Sequence, residues 1–137
     1  MLPPDTRRRA RALQLLYAWE LQGRPALEEC VAGLSHLTGP DASLLDGGDH
    51  LALAVTRRLK EIDELIAGAA DRWRFERIGL IERILLRIGV GDLLAGELPP
   101  RLAIDTTLWL THRFAPATAV PFVNGVLDRV ARQLGRL

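Results

Sequence analysis

The segment RIGLIERILLRIGVGDLLAG, residues 77 to 96, carries apolar side chains on nearly every side when it is arranged as a helix. A surface helix is apolar along one stripe, so a helix that is apolar all round is covered by other elements. Gly89 and Gly91 each lower the local helix propensity by about 1 kcal/mol relative to Ala. We therefore predict a central helix here, whose glycines allow neighbouring helices to approach closely.

The segments on both sides of this central helix also have helical patterns. Apolar residues recur in them at three- and four-residue spacing, and no segment shows the Val-, Thr- and Tyr-rich alternation of a strand. We predict an all-α fold of six or seven helices, and the longest connection lies in TGPDASLLDGGDH, residues 38 to 50. The predicted helices cover residues 6 (with a cap at Asp5 or Thr6) to 23, 25 to 37, 50 to about 68–71, 77 to 96, 101 to 114 and 117 to 134.

Length and composition favour a single domain over residues 1–137, with no linker that would separate two domains. No apolar run reaches the 18 residues of a membrane span, and no signal-peptide apolar region follows the N-terminal arginines. The single cysteine, Cys30, cannot form an intramolecular disulfide and is predicted to be a buried thiol. We expect a cytoplasmic protein.

The sequence contains no motif that supports catalysis. His36, His50 and His112 lie in three different predicted elements, and neither HExxH nor CxxC spacing occurs. No GxxxxGK[ST], GxGxxG or GxSxG segment is present, so a phosphate-binding loop and a nucleophile elbow both lack a candidate. We predict no catalytic residue, no metal site and no cofactor, which makes an enzyme unexpected.

The densest positive charge of the chain lies at its start, although the formal net charge is only +1. On a helix Arg7, Arg8 and Arg11 share one side, while Arg9 points elsewhere. Guanidinium groups suit phosphate oxygens and stack on exposed bases. A solvated helix end is the alternative, but cations there oppose the helix macrodipole. A second, acid-interrupted series is predicted to form ion pairs within the protein: Arg72, Arg74, Arg77, Arg83 and Arg87.

Four segments, taken in order, form a pattern, and the residue order of the last one is not required by helix periodicity. The arginine-rich start precedes ALQLLYAWELQG, residues 12 to 23, and EIDELIAGAADRW, residues 61 to 73, precedes LIERILLRIGVGDLL. A proline break precedes LAID, residues 102 to 105, and FVNGVLDRVA, residues 122 to 131, closes the pattern. In this pattern, which covers nearly the whole chain, the sequence resembles the NusB family of bacterial transcription antitermination factors.

The resemblance implies a NusB-like fold of two packed helical bundles and no catalysis. It implies binding of single-stranded boxA-type RNA together with the small-subunit ribosomal protein that acts as NusE. Such a factor helps the RNA polymerase antitermination complex to read through terminators, notably in ribosomal RNA operons. Matching the family's basic start assigns RNA contact, and hence solvent accessibility, to Arg7, Arg8, Arg9 and Arg11, and adds Tyr17 as a weaker match.

The sequence departs from the family pattern between residues 103 and 112. The family has A-I-N-E-A, an acidic residue and L-A-K, where this chain has AIDTTLWLTH, with Trp109 at the acidic position. We assign partner contact to Asp105, Trp109 and Asn124, because an exposed tryptophan is a good anchor for a protein contact. The alternative for Trp109 is a side chain packed wholly inside the domain.

Two alternatives to antitermination and one to a monomer stay open. The chain could be a divergent NusB-like paralogue that acts as a detached module binding ribosomal RNA, or a helical protein-interaction factor without RNA binding. Some members of the family self-associate through the RNA-binding face. A homodimer of that kind would make self-association and RNA binding mutually exclusive.

Overall fold

The computed structural model of the chain describes residues 3–38, 47–70 and 75–137. Within these ranges it contains seven α-helices and a 3₁₀ turn at Phe75–Arg77, with no strand, which confirms the predicted all-α fold. Residues 39–46 of the predicted connection, and Arg72 and Arg74 of the second basic series, lie outside the described residues. The helices are α1 (Pro4–Leu21), α2 (Leu27–Thr38), α3 (Gly48–Arg57), α4 (Leu59–Ala69), α5 (Leu80–Ala95), α6 (Pro100–Phe114) and α7 (Ala119–Gln133).

Helix α5 is the central helix that its sequence predicts. It packs against α1, α3, α4, α6 and α7, and its stretch from residue 84 to 90 is buried throughout. A Cβ atom at residue 89 would lie 2.8 Å from Cδ2 of Leu127 in α7, and one at residue 91 would lie 3.1 Å from Cγ2 of Val55 in α3. The two glycines therefore allow α7 and α3 to come close to α5.

Two groups of helices share α5. Helices α1, α2 and α3 pack together, with α1 against α3 as the largest contact, and α4, α6 and α7 surround α5 on the other side. The buried apolar side chains of both groups form one continuous core. This arrangement agrees with the two packed helical bundles implied by the resemblance.

Several predicted helix boundaries are wrong, each for a local reason. The helix predicted from residue 50 to 68 is two helices, because the backbone leaves helical geometry at Arg58, with φ −114° and ψ 22°. Helix α5 begins at Leu80, because Gly79 is extended. Helix α1 begins at Pro4, whose missing N–H suits a first helical position, so the predicted caps Asp5 and Thr6 lie inside the helix.

The apolar residues that recur at helical spacing are mostly buried. Val55, Ile62, Leu85, Ile88, Val123 and Leu127 are buried, whereas Leu51, Leu59 and Ile81 are partly buried. Cys30 is also buried, and burial raises the pKa of its thiol. No helix in the described part of the chain is both long and apolar enough to span a membrane.

Candidate nucleic-acid interface

The arginines at the start of α1 have different surroundings because several helices pack against this one. Helices α2, α3, α5 and α6 all contact α1. Arg9 is only 3% exposed, whereas Arg7, Arg8 and Arg11 are partly exposed. Arginines that are neighbours along α1 therefore differ in their exposure and in the groups that they can contact.

The prediction that Arg9 is solvent-accessible is wrong. Its Nε and Nη2 atoms donate to the two carboxylate oxygens of Asp92 in α5, both at 2.7 Å, and its Nη1 donates to the backbone oxygen of Asp5 at 2.9 Å. Burial raises the pKa of the Asp92 carboxyl, and the hydrogen bonds and charge of Arg9 oppose that rise. Because its guanidinium is buried and donates these three hydrogen bonds, Arg9 fixes α1 on α5. Arg9 and Asp92 also line a surface groove beside α3, so the pair lies just beneath the surface.

The sequence contains a signal for the Arg9–Asp92 ion pair. Asp92 is an acidic residue inside a helix that is otherwise apolar on nearly every side. A buried carboxylate in such a helix needs a cationic partner. On a helix Arg9 points away from Arg7, Arg8 and Arg11. Arg9 is therefore the arginine that can pair with Asp92.

Arg7 and Arg11 line a surface groove between α1 and α6. The groove has a volume of about 290 Å³, and α6 contributes Trp109, Arg113 and Phe114 to its wall. Trp109 is 42% exposed and Phe114 is 48% exposed, so the alternative of a wholly buried Trp109 is wrong. The complete lining from α1 is Arg7, Ala10, Arg11 and Gln14.

Arg8 lies on the other side of α1 and lines a second groove, also of about 290 Å³, with Gly47, His50 and Glu97. A Cβ atom at residue 47 would lie 3.0 Å from Nε of Arg8. Arg8 therefore lines a different groove from Arg7 and Arg11. A ligand that touches all three must pass over α1.

The packing of α3 beside the arginines depends on Gly48. A Cβ atom there would lie 2.6 Å from Cβ of Arg11, 2.8 Å from the backbone nitrogen of Ala12 and 2.9 Å from the backbone oxygen of Arg8. The first turn of α3 thus touches the α1 backbone directly. In the sequence, DGGDH predicts only a polar connection, so the role of Gly48 emerges from the packing.

The sequence profile of the NusB family matches residues 6–132 of the chain. The chain belongs to the NusB family. The transcription antitermination protein NusB of Sorangium cellulosum is 35% identical over 130 residues, which are 94% of this chain and 92% of that protein. The transcription antitermination protein NusB of Solibacter usitatus is 33% identical over 133 residues, which are 93% of this chain and 88% of that protein.

Solved NusB structures share the fold. NusB of T. maritima superposes with a TM-score of 0.83 at 25% identity, covering 97% of this chain and 94% of that chain. A chain from the complex of the antitermination factors NusB and NusE with double-stranded RNA gives a TM-score of 0.78 at 25% identity, covering 97% of this chain and 99% of that chain.

The other residues assigned from the NusB resemblance are exposed but dispersed. Tyr17 of α1 is 38% exposed and is not among the residues that line the α1–α6 groove. Asp105 is exposed on α6 one turn before Trp109, and Asn124 is exposed on α7. The structure thus places Trp109 beside the arginines and leaves Asn124 on a different helix from the groove.

A second buried arginine holds the far end of α1 in place. Arg87 of α5 donates to Asp63 of α4 at 2.9 and 3.1 Å and to Glu20 of α1 at 2.8 Å. Burial alone would raise the pKa of Glu20, but hydrogen bonds and charges from Arg24 and Arg87 outweigh it and lower that pKa. For Arg87 the predicted ion pairing within the protein is confirmed. In the described residues, no group of three or more His, Cys, Asp or Glu side chains could hold a metal ion.

Proposed function

We propose that this chain is a transcription antitermination factor that binds single-stranded boxA-type RNA together with a NusE-type ribosomal protein. It would act in the cytoplasm as part of the RNA polymerase antitermination complex and promote read-through, notably of ribosomal RNA operons. Membership of the NusB family supports this function, and the similarity to a chain from a complex with NusE and double-stranded RNA supports the two kinds of partner.

The observation that carries the proposal is the partly exposed guanidinium cluster at the start of α1. Arg7 and Arg11 line one groove, and Arg8 lines the other together with the buried Arg9, within two helical turns of a chain whose net charge is only +1. Guanidinium forks bind phosphate oxygens with two parallel hydrogen bonds. We assign phosphate contact to these three arginines and a positioning role to Arg9.

Partner contact is proposed for the exposed polar residues of the C-terminal helices. Asp105 of α6 and Asn124 of α7 are both exposed at the surface. Exposed charges tune the rate and specificity of association more than they supply affinity. Tyr17, exposed on α1, remains a proposed RNA contact.

Direct binding to RNA tests this function. We expect a fluorescein-labelled boxA-type single-stranded RNA to bind in an anisotropy titration, and to bind more tightly when a NusE-type protein is added. A single strand of the same composition in scrambled order and a duplex of the boxA-type sequence are the controls. Equal binding to all three RNAs, unaffected by the partner, would contradict the proposal.

Light scattering at the titration concentrations tests the homodimer alternative. If two copies associate through the arginine cluster, addition of RNA shifts the dimer to a monomer–RNA complex. A dimer that persists with RNA bound would show that the two surfaces are separate.

A further inference from the structure

We propose that Trp109 is a base-stacking platform, so that the α1–α6 groove holds one unstacked nucleobase while Arg7 and Arg11 contact the flanking phosphates. This inference rests on the proposed RNA-binding function and specifies how one part of the RNA is held. It assigns Trp109 to RNA and not to the NusE-type partner suggested by its place in the sequence.

The groove combines two helical stripes of complementary chemistry. Its α1 wall consists of residues 7, 10, 11 and 14, whose spacing places them on a single face of the helix. Its α6 wall carries Trp109 and Arg113, one turn apart, and then Phe114. The two stripes meet so that exposed aromatic rings lie in the same groove as guanidinium groups from both helices.

The charge of this groove favours nucleic acid over a protein ligand. Among the described residues that line it, the charged ones are Arg7, Arg11 and Arg113, and the remaining lining residues are neutral. An apolar protein surface would remove these guanidiniums from water without supplying acceptors, which is unfavourable. A nucleotide supplies both components, because its phosphate accepts from guanidinium and its base offers a flat ring to the indole.

The size of the groove suits one base. Its volume of about 290 Å³ lies at the lower end of the range for small-molecule pockets. Base pairs of a duplex are stacked on both faces, so only a single-stranded or flipped-out base can place its ring on Trp109. The stacking platform therefore gives this surface a physical reason to prefer single-stranded RNA.

Stacking and phosphate contact have different dependences on salt, which separates the two roles. Phosphate contacts release counterions, so each contact that is lost flattens the slope of log affinity against log salt by about 0.7 on single strands. Stacking on an aromatic side chain releases no counterions. Replacing Trp109 should therefore weaken binding and leave the salt slope unchanged.

The experiment titrates a fluorescein-labelled single-stranded boxA-type RNA of twelve nucleotides with the full chain at four salt concentrations. We expect Trp109→Ala to bind about 5- to 150-fold more weakly at every salt concentration, the range for loss of one stacked base. Trp109→Phe should recover most of the affinity. Leu102→Ala is the matched control, because Leu102 is a similarly exposed apolar residue of α6 that does not line the groove. Its affinity should equal that of wild type.

A series of RNAs with one abasic position each then locates the base. We expect one abasic position to weaken binding to wild type by the same factor as Trp109→Ala, and to cause no further loss in that variant. Wild-type affinity of Trp109→Ala, with weakened binding by Arg7→Ala/Arg11→Ala, would overturn the stacking role and leave the RNA-binding function intact. A Trp109→Ala variant that loses affinity for the NusE-type protein alone would also overturn it. If wild type binds none of the RNAs, the proposed function fails, and the stacking role fails with it.

Discussion

Arg9 and Arg11 are two residues apart on the same helix, yet they belong to different parts of the protein. Arg9 is buried and donates three hydrogen bonds to groups of α1 and α5, whereas Arg11 is partly exposed and lines a groove at the surface. The two side chains are chemically identical. The difference shows that packing by neighbouring helices, and not the arginine motif, decides which guanidinium is buried and which stays partly exposed.

Asp92→Ala tests the buried arginine of this comparison and is expected to have the largest effect on stability. The variant leaves the Arg9 guanidinium buried without its carboxylate, so we expect a loss of about 3–5 kcal/mol in the free energy of unfolding. Urea denaturation measures it. The double variant Arg9→Met/Asp92→Leu should lose much less, because it removes both charges together. Equal losses in the two variants would show that packing at these sites, and not the ion pair, is what matters.

Gly48→Ala tests whether α3 holds the arginine side of α1 in place. The added Cβ would meet backbone atoms of α1, which cannot rotate away, so we expect a loss of about 2–3 kcal/mol, in the upper part of the range for overpacking. Gly33→Ala in α2 is the control. A Cβ there meets open space, and Ala favours the helix by about 1 kcal/mol. A neutral Gly48→Ala would mean that α3 can move away from α1 without cost.

Glu20→Gln tests the contact of the second buried arginine, Arg87, with the other end of α1. We expect a loss of about 1.5 kcal/mol at neutral pH, the lower end for a hydrogen bond to a charged group, because Arg87 keeps Asp63. The pKa of Glu20 is lowered in the folded state, so its contribution is present above its unfolded pKa of about 4.3 and is lost as the pH falls through the folded value. Urea denaturation from pH 3 to 7 should show the two proteins converging in acid. A constant difference would contradict the ionic contribution.

Replacing the partly exposed arginines of α1 is expected to have the smallest effect on the free energy of unfolding. Arg7→Ala/Arg8→Ala/Arg11→Ala should change the free energy of unfolding by no more than about 0.5 kcal/mol per site. Three lost phosphate contacts should instead flatten the slope of log RNA affinity against log salt by about two units. Arg132→Ala on the exposed face of α7 is the control and should leave both quantities unchanged. Unchanged RNA affinity in the triple variant would remove these arginines from the binding site.

The sequence is sufficient to predict features that depend on local periodicity. The all-round apolar pattern of residues 80–95 correctly predicts a central helix, and Gly89 and Gly91 correctly predict close approach by other helices. The break at Arg58 is not predictable in the same way, because apolar residues continue at helical spacing across it. Hydrophobic periodicity therefore predicts which residues of a helix face the core. It does not predict a short break in the helix when the core-facing residues continue at the same spacing across the break.

The candidate site is less predictable, because its two walls are separated by about a hundred residues. The arginine motif points to α1, and the unusual Trp109 points to α6, but nothing in a single sequence places them in one groove. The same limitation explains the wrong expectation for Arg9, since its partner Asp92 lies 83 residues further along the chain. Tertiary packing decides which arginines remain at the surface.

The Arg9–Asp92 pair also bears on the order in which the chain folds during synthesis. The residues of α1 leave the ribosome before those of α5, so Arg9 must wait for a partner 83 residues later. At about 5–20 residues per second, this delay is roughly 4 to 17 s. Until then the side of α1 that carries Arg9 has no place to be buried, so the nascent N-terminal helices keep a positively charged, incompletely docked surface. The emergence of α5 is therefore the event that commits the first helix to its native neighbours.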